Sequence, residues 1–138
     1  MVFEKILVPY DNSPNSKLAL KKALTLAALT KSNITIVHVI AYHKAMAKIV
    51  EPYTETIFIH VKKFLDDAKK EAHKKNIKTE EKILYGNPSE EILGLMKKKK
   101  FDLVIMGKRG TTKLTGPSLG SVSNALVQTS KVPVLIIS

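Results

Sequence analysis

The sequence contains no cysteine, which excludes disulfide bonds, thiol catalysis and cysteine-ligated zinc sites. Its four histidines do not follow a metal-ligand spacing such as H-x3-H, so no metal-binding residue is predicted. No apolar run approaches the roughly 20 residues that a membrane helix needs. The first residues, MVFEKILVPYD, lack the apolar core of a signal peptide. We therefore expect a cytoplasmic protein with no membrane partner.

The length and the apolar content favour one globular domain. The chain has 138 residues, of which 44% are hydrophobic, and this is enough for a full core in a single domain over residues 1–138. The net charge of +11 fits a nucleic acid, an anionic ligand or a lysine-rich surface. Lysines fall on the polar faces and at the ends of predicted helices, as in the run 97–100, and aromatic residues make up only 6%. This distribution disfavours nucleic acid as the partner.

Short apolar runs alternate with amphipathic segments along the chain. The predicted strands are residues 5–9, 33–40, 78–85, 102–106 and 132–137. Helices are predicted over residues 13–31, over residues 57–72, after Ser89 with an apolar face through Met96, and over residues 122–129. Residues 41–56 are predicted to form a loop with at most one helical turn.

This alternation predicts an α/β fold with a parallel five-stranded sheet and helices on both faces. Right-handed crossovers suit the doubly wound strand order 3-2-1-4-5. In that order a ligand binds beyond the carboxyl ends of strands one and four, where the strand order reverses. The segments that leave those two ends are residues 9–13 and 107–120. We therefore predict a site between these two loops.

The second loop has the composition of a phosphate-binding segment. It contains Gly107, Gly110, Gly116 and Gly120, together with hydroxyl residues and the cations Lys108, Arg109 and Lys113. Glycines let backbone N–H groups approach an anion, and the helix start at Ser121 offers further N–H groups. On composition alone, a plain connecting loop fits as well. The opposite loop, Pro9–Asp11, adds an apolar ring, a peptide group and a carboxylate, which suit a ribosyl-purine better than a bare phosphate.

The spacing G-x2-G-x9-G-S, at Gly107, Gly110, Gly120 and Ser121, resembles the nucleotide motif of the universal stress protein family. The resemblance covers the whole chain, from KILVPYD through the dipeptide at 38–39 and the Gly-Asn-Pro at 86–88 to the closing VPVLII. It implies the family's Rossmann-like, adenine nucleotide alpha hydrolase-like sheet. Members of the family with these glycines bind adenosine nucleotides, usually ATP, and are commonly homodimers.

The resemblance also implies roles for single residues. Pro9, Tyr10 and Asp11 would frame the base and the ribose, with Asp11 as the acceptor, and Val39 would contact the adenine ring. The rest of the implied nucleotide site is Met106, Gly107, Lys108, Arg109, Gly110, Thr111, Lys113, Gly120, Ser121, Val122 and Ser123. The implied cofactor is ATP, ADP or AMP, with Mg²⁺ or Mn²⁺ as a further expectation. Gly116-Pro117 departs from many relatives, which leaves the loop path and the role of Lys113 open.

No catalytic residue is predicted. The chain lacks the Walker motif G-x4-G-K-(S/T), and its first loop reads PYDNS rather than the SGGxDS of ATP pyrophosphatases. The favoured function is an ATP-binding regulatory protein of the stress response, with weak hydrolysis at most and with protein partners that the sequence does not specify. The alternatives are a slow ATP hydrolase or phosphotransferase and a basic nucleic-acid-binding stress protein.

The last strand predicts a homodimer. It lies at the sheet edge in the predicted order and carries no charge that would discourage pairing with another chain. Pro133 cannot donate a ladder hydrogen bond, so the pairing would use Val134–Ile137 and form a two-fold interface. Packing of residues 41–56 over this edge is the alternative.

Overall fold

The computed structural model describes residues 3–110 and 118–138. Its five strands are β1 Lys5–Pro9, β2 Asn33–Ala41, β3 Thr79–Gly86, β4 Leu103–Gly107 and β5 Val134–Ile137. All neighbouring strands pair in parallel, in the order β3-β2-β1-β4-β5. The strand order predicted from the sequence is therefore confirmed.

The helices are α1 Pro14–Thr30, α2 Ala47–Val50, α3 Thr54–Lys74, α4 Pro88–Lys98 and α5 Ser121–Thr129, with 3₁₀ turns at Lys44–Met46 and Glu51–Tyr53. The prediction of a loop over residues 41–56 is wrong, because short helical turns run from Lys44 into α3. Met46, Ile49 and Tyr53 recur there at helical spacing, and Pro52 occupies a helix-start position that tolerates proline. Within the described residues, no helix is long and apolar enough to cross a membrane.

Two apolar layers hold the sheet between the helices. Alternate residues of a strand point to opposite faces, so neighbours in sequence enter different layers. Ile6 and Val8 of β1 pack with α1 and α3, whereas Leu7 packs with α4 and α5. Helices thus cover both faces, as an all-parallel sheet requires.

Side-chain caps fix where two of the helices begin. The Ser13 hydroxyl accepts from Ser16 N–H at 3.2 Å at the start of α1, and the Asn87 side chain accepts from Glu90 N–H at 3.1 Å at the start of α4. Because the strands are parallel, the helices that follow them start at the carboxyl edge of the sheet. This edge therefore gathers helix N-termini and loops beside the ends of β1 and β4.

Gly107, the last residue of β4, lies in close contact with the first turn of α1. A Cβ atom on Gly107 would stand 2.8 Å from both the carbonyl carbon and the Cβ of Asn15. Real Cβ atoms do not approach that closely, so the glycine sets the distance between the end of β4 and α1. In contrast, a Cβ on Gly94 in α4 would meet nothing within 4 Å.

We predict opposite effects for the same substitution at these two glycines. Gly107→Ala forces the α1 backbone away from β4 and should lower the free energy of unfolding by about 1–3 kcal/mol. Gly94→Ala adds helix propensity in open space and should raise it by about 0.5–1 kcal/mol. Urea denaturation of both variants measures these differences. Equal stability of the two variants would contradict the packing at Gly107.

Candidate functional site

A cleft opens at the carboxyl edge of the sheet, over the ends of β1, β2 and β4. Its volume is about 600 Å³, within the range of small-molecule sites. Its lining includes the following sequence-predicted residues: Pro9, Tyr10, Asp11, Val39, Met106, Gly107, Arg109, Gly110, Gly120, Ser121, Val122 and Ser123. Lys108 is described but is not among the lining residues. Thr111 and Lys113 lie outside the described residues.

The cleft also includes residues that the sequence interpretation missed. They are Ser16 of α1, Val37, His38 and Ala41 of β2, and Pro88 and Ile92 of α4. The β2 residues follow from the geometry of a parallel sheet, because β2 ends beside β1 at the same edge. Pro88 follows the glycine turn after β3, and this turn was used only as a family feature. The side of the cleft that α4 forms, through Pro88 and Ile92, has no recognisable sequence signal.

Asp11 joins the two loops across the cleft. One carboxylate oxygen accepts the N–H of Ser13 at 3.0 Å, in a turn where Asn12 takes a left-handed conformation with φ of 65°. The other oxygen lies beside Gly110, where an added Cβ would stand 2.4 Å from it. The absence of a side chain at Gly110 thus admits the carboxylate of the opposite loop. Approach of a ligand to the same glycine stays a prediction.

Hydrogen bonds close the base of the glycine-rich loop. The Lys108 carbonyl accepts from Gly120 N–H at 3.0 Å and from the Ser123 hydroxyl at 2.6 Å. Arg109 Nε donates to the Ser118 carbonyl at 3.0 Å. The hydroxyl proton of Ser123 is therefore engaged within the loop, and Ser123 is only 2% exposed. Lys108 stabilises the loop through its backbone carbonyl, and Ser123 stabilises the same loop through its hydroxyl.

The N-terminus of α5 faces the cleft without a side-chain cap. Gly120 occupies the N-cap position, and no side-chain hydrogen bond caps the helix there within the described residues. Ser121 is exposed at this end of the helix. The helix dipole makes the N-terminus a favourable place for an anion. The helices α1 and α4 differ, because the side chains of Ser13 and Asn87 each accept a hydrogen bond from one N–H group of the first turn.

The apolar part of the cleft comes from Val39 and Met106, which are 9% and 5% exposed and belong to the core layer under α4 and α5. Tyr10 is in the lining of the cleft, and its side chain is part of the core. The residue is 6% exposed, and the centroid of its ring lies 6.0 Å from that of Phe64 in the opposite layer. Burial, and then the charge of Asp11, raise the pKa of the Tyr10 hydroxyl above its ordinary value. Its hydroxyl bonds the Asn12 side chain at 3.3 Å.

Among the described residues, no group of three or more histidine, aspartate or glutamate side chains is arranged to hold a metal ion. Asp11 is the carboxylate in the described lining of the cleft.

Relatives with similar sequences and structures cover nearly the whole chain. Universal stress protein YxiE of Bacillus subtilis is 35% identical over 147 residues, with 99% of each chain covered. The solved structure of protein MJ0577 of Methanocaldococcus jannaschii has a TM-score of 0.87 at 30% identity, covering 99% of this chain and 96% of that one. Universal stress protein UspA of Lactobacillus plantarum has a TM-score of 0.89 at 24% identity, covering 99% and 98%.

Two further structures of the same fold contain nucleotides. One is a universal stress protein in complex with cAMP, with a TM-score of 0.79 at 22% identity, covering 100% of this chain and 99% of that chain. The other is the universal stress protein of Archaeoglobus fulgidus in complex with dAMP, with a TM-score of 0.72 at 19% identity and full coverage of both chains. At these identities the likeness shows a shared fold.

The sequence profile that describes the universal stress protein family matches residues 3–138, almost the entire chain. The strand order, the cleft at the reversal point and the relatives agree with that match. This chain belongs to the universal stress protein family.

Proposed function

We propose that this protein binds an adenosine nucleotide in the cleft and acts as a regulatory protein of the stress response. ATP is the favoured ligand, with ADP or AMP as alternatives. The observation that carries the proposal is that the two loops predicted from the sequence line one cleft at the reversal point of the sheet. Open α/β sheets bind their ligands at this point.

The two ends of the cleft suit the two ends of a nucleotide. Val39 and Met106 offer an apolar surface for the adenine ring, and the Asp11 carboxylate is an acceptor for a ribose hydroxyl. The N–H groups at the start of α5 and the charge of Arg109 suit the phosphates. The protein would therefore hold the base near β2 and the phosphates near α5.

The nucleotide complexes of related folds support the ligand class. cAMP and dAMP, which are bound by two of the similar structures, share an adenine base and a phosphate on a pentose. Mg²⁺ or Mn²⁺ would enter with a triphosphate, ligated by phosphate oxygens, since such ions bind readily to substrate phosphates. Binding with weak hydrolysis at most remains the favoured activity.

Two alternative activities predict different results when the protein is mixed with ATP or with nucleic acid. A slow ATP hydrolase or phosphotransferase would turn over many equivalents of ATP and would need Mg²⁺ or Mn²⁺. A nucleic-acid-binding protein would bind duplex or single strands with a steep salt dependence, and ATP would not stabilise it.

We predict that ATP raises the melting temperature of protein that has first been stripped of nucleotide. A ligand that binds only the native state stabilises it by about 2.7 kcal/mol at one hundred times its dissociation constant. The shift should therefore grow with ATP concentration in a thermal melt. Absence of any shift at millimolar ATP would refute the proposed ligand.

We predict that Gly110→Ala weakens ATP binding by at least about tenfold, equivalent to 1.4 kcal/mol. The added Cβ would displace the Asp11 carboxylate, which is the proposed ribose acceptor. A variant with glutamine at all four lysines of the run 97–100 is the control, because these side chains are exposed at the end of α4. Calorimetric titration compares the two variants, and an equal loss in both would show that the site lies elsewhere.

The homodimer stays a proposal, with the outer edge of β5 as the interface. β5 pairs with β4 alone in the described sheet and carries the half-exposed Leu135. Residues 41–56, the alternative cover for this edge, begin beside β3, because Tyr42 N–H donates to the Gly86 carbonyl at 3.2 Å. β3 lies at the opposite edge of the sheet. Pairing of Val134–Ile137 with a second copy would satisfy the open edge.

We predict that Leu135→Glu converts a dimer into a monomer, because a charge at an apolar two-fold interface faces its own copy. Light scattering at micromolar concentration should give roughly twice the chain mass for the wild type and one chain mass for the variant. Ile59→Glu, on an exposed position of α3, is the control. Monomeric wild type, or dissociation in the Ile59 variant alone, would contradict an interface at β5.

A further inference from the structure

The side chain of His38, a cleft residue on β2, forms a hydrogen bond with the backbone of Tyr10, which directly follows the neighbouring strand β1. Its Nδ1 lies 2.8 Å from the Tyr10 carbonyl oxygen. Its ring forms a T-shaped pair with the Phe64 ring, at a centroid distance of 5.1 Å and an interplanar angle of 84°. The residue is half-buried and lines the cleft. It therefore touches both the core and the proposed site.

The hydrogen bond indicates which ring nitrogen of His38 carries a proton. A carbonyl oxygen only accepts, so Nδ1 of His38 carries the proton. Burial lowers the pKa of His38, while the Tyr10 carbonyl and the charge of Asp11 oppose that shift and His60, across Phe64, adds to it. The lowered pKa favours the neutral ring, and in that state the hydrogen bond to Tyr10 places the single proton on Nδ1.

β2 forms hydrogen bonds with both the backbone N–H and the backbone carbonyl of Tyr10. Tyr10 N–H donates to the Val37 carbonyl at 2.8 Å, and the Tyr10 carbonyl accepts from His38. The chain leaves β1 directly after this point and turns through the left-handed residue Asn12. The orientation of the Tyr10 carbonyl determines the peptide plane that it shares with Asp11. The imidazole thus holds the backbone from which the Asp11 carboxylate projects.

We propose that His38 is a positioning residue of the nucleotide site, which orients Asp11 through the Tyr10 carbonyl. This inference rests on the proposed function, because Asp11 is the acceptor offered to the nucleotide. His38 acts through the loop after β1, and its N–H group at the δ position is the feature that matters.

The competing interpretation is that His38 only fills space against Phe64. Two substitutions separate these roles. His38→Asn keeps an N–H donor near the position of Nδ1 but removes most of the ring, whereas His38→Leu keeps apolar volume and loses the donor. A packing role predicts that the leucine variant is tolerated and the asparagine variant is not. A positioning role predicts that the asparagine variant keeps its nucleotide affinity and that the leucine variant loses it.

The test is a calorimetric titration of nucleotide-free wild type and of both variants with ATP. We expect His38→Leu to bind about tenfold more weakly, the size of effect expected for one lost hydrogen bond. We expect His38→Asn to stay within about threefold of the wild type, although its melting temperature falls because packing is lost. Wild-type affinity in the leucine variant, or an equal loss in both variants, would overturn the positioning role.

A second measurement needs no nucleotide, so it separates this inference from the proposed function. Absence of ATP binding by the wild type would overturn the proposed function and, with it, the nucleotide role of His38. In the free protein, the amide resonances of Asp11 and Ser13 should shift in His38→Leu and return towards wild-type values in His38→Asn. The histidine nitrogens of the wild type should report protonated Nδ1. Unchanged amide resonances in the leucine variant, or a ring protonated at Nε2 alone, would overturn the orientation of the loop by His38.

Discussion

The pairing of β1 with β2 on one side and with β4 on the other is the constraint on which the cleft depends. Pro9 aligns with Val37, and Leu7 aligns with Val104, so the three strands end at one edge. The helices that follow β1 and β4 then cover opposite faces, α1 with one layer and α5 with the other. Their loops must diverge, and the space between them is the cleft. The lack of a side chain at Gly107 lets the end of β4 lie directly against Asn15 of α1.

The glycines of the motif allow close packing within the protein itself. Gly107 admits the first turn of α1, Gly110 admits the Asp11 carboxylate, and a Cβ on Gly120 would come within 3.3 Å of the Cα of Arg109. The glycines proposed to approach phosphate therefore also let their loop pack closely against neighbouring segments of the chain. The same packing leaves the start of α5 uncapped within the described residues and brings Asp11 to the opposite loop. Structure and proposed binding thus depend on the same few backbone positions.

Much of this fold is readable from hydrophobic periodicity, because buried parallel strands and amphipathic helices differ in both length and period. β1 and the strand order were predicted as they occur. The turns after Lys44 were missed, since their apolar residues are exposed and give no core-facing stripe. The burial of Tyr10 was not predicted, because residue type alone does not reveal which layer a strand end enters. The hydrogen bond between His38 and Tyr10 was not predicted, because it depends on a strand register that periodicity does not give.

The central claim is that one adenosine nucleotide occupies the space between the two loops. Amide chemical-shift mapping during titration of the nucleotide-free protein with ATP tests this claim most directly, because it reports where the ligand binds as well as whether it binds. The account predicts saturable shifts concentrated at Asp11, Val39, Gly110 and Ser121, which lie on both sides of the cleft. Shifts confined to exposed lysines such as the run 97–100, or no shifts at all, would contradict it.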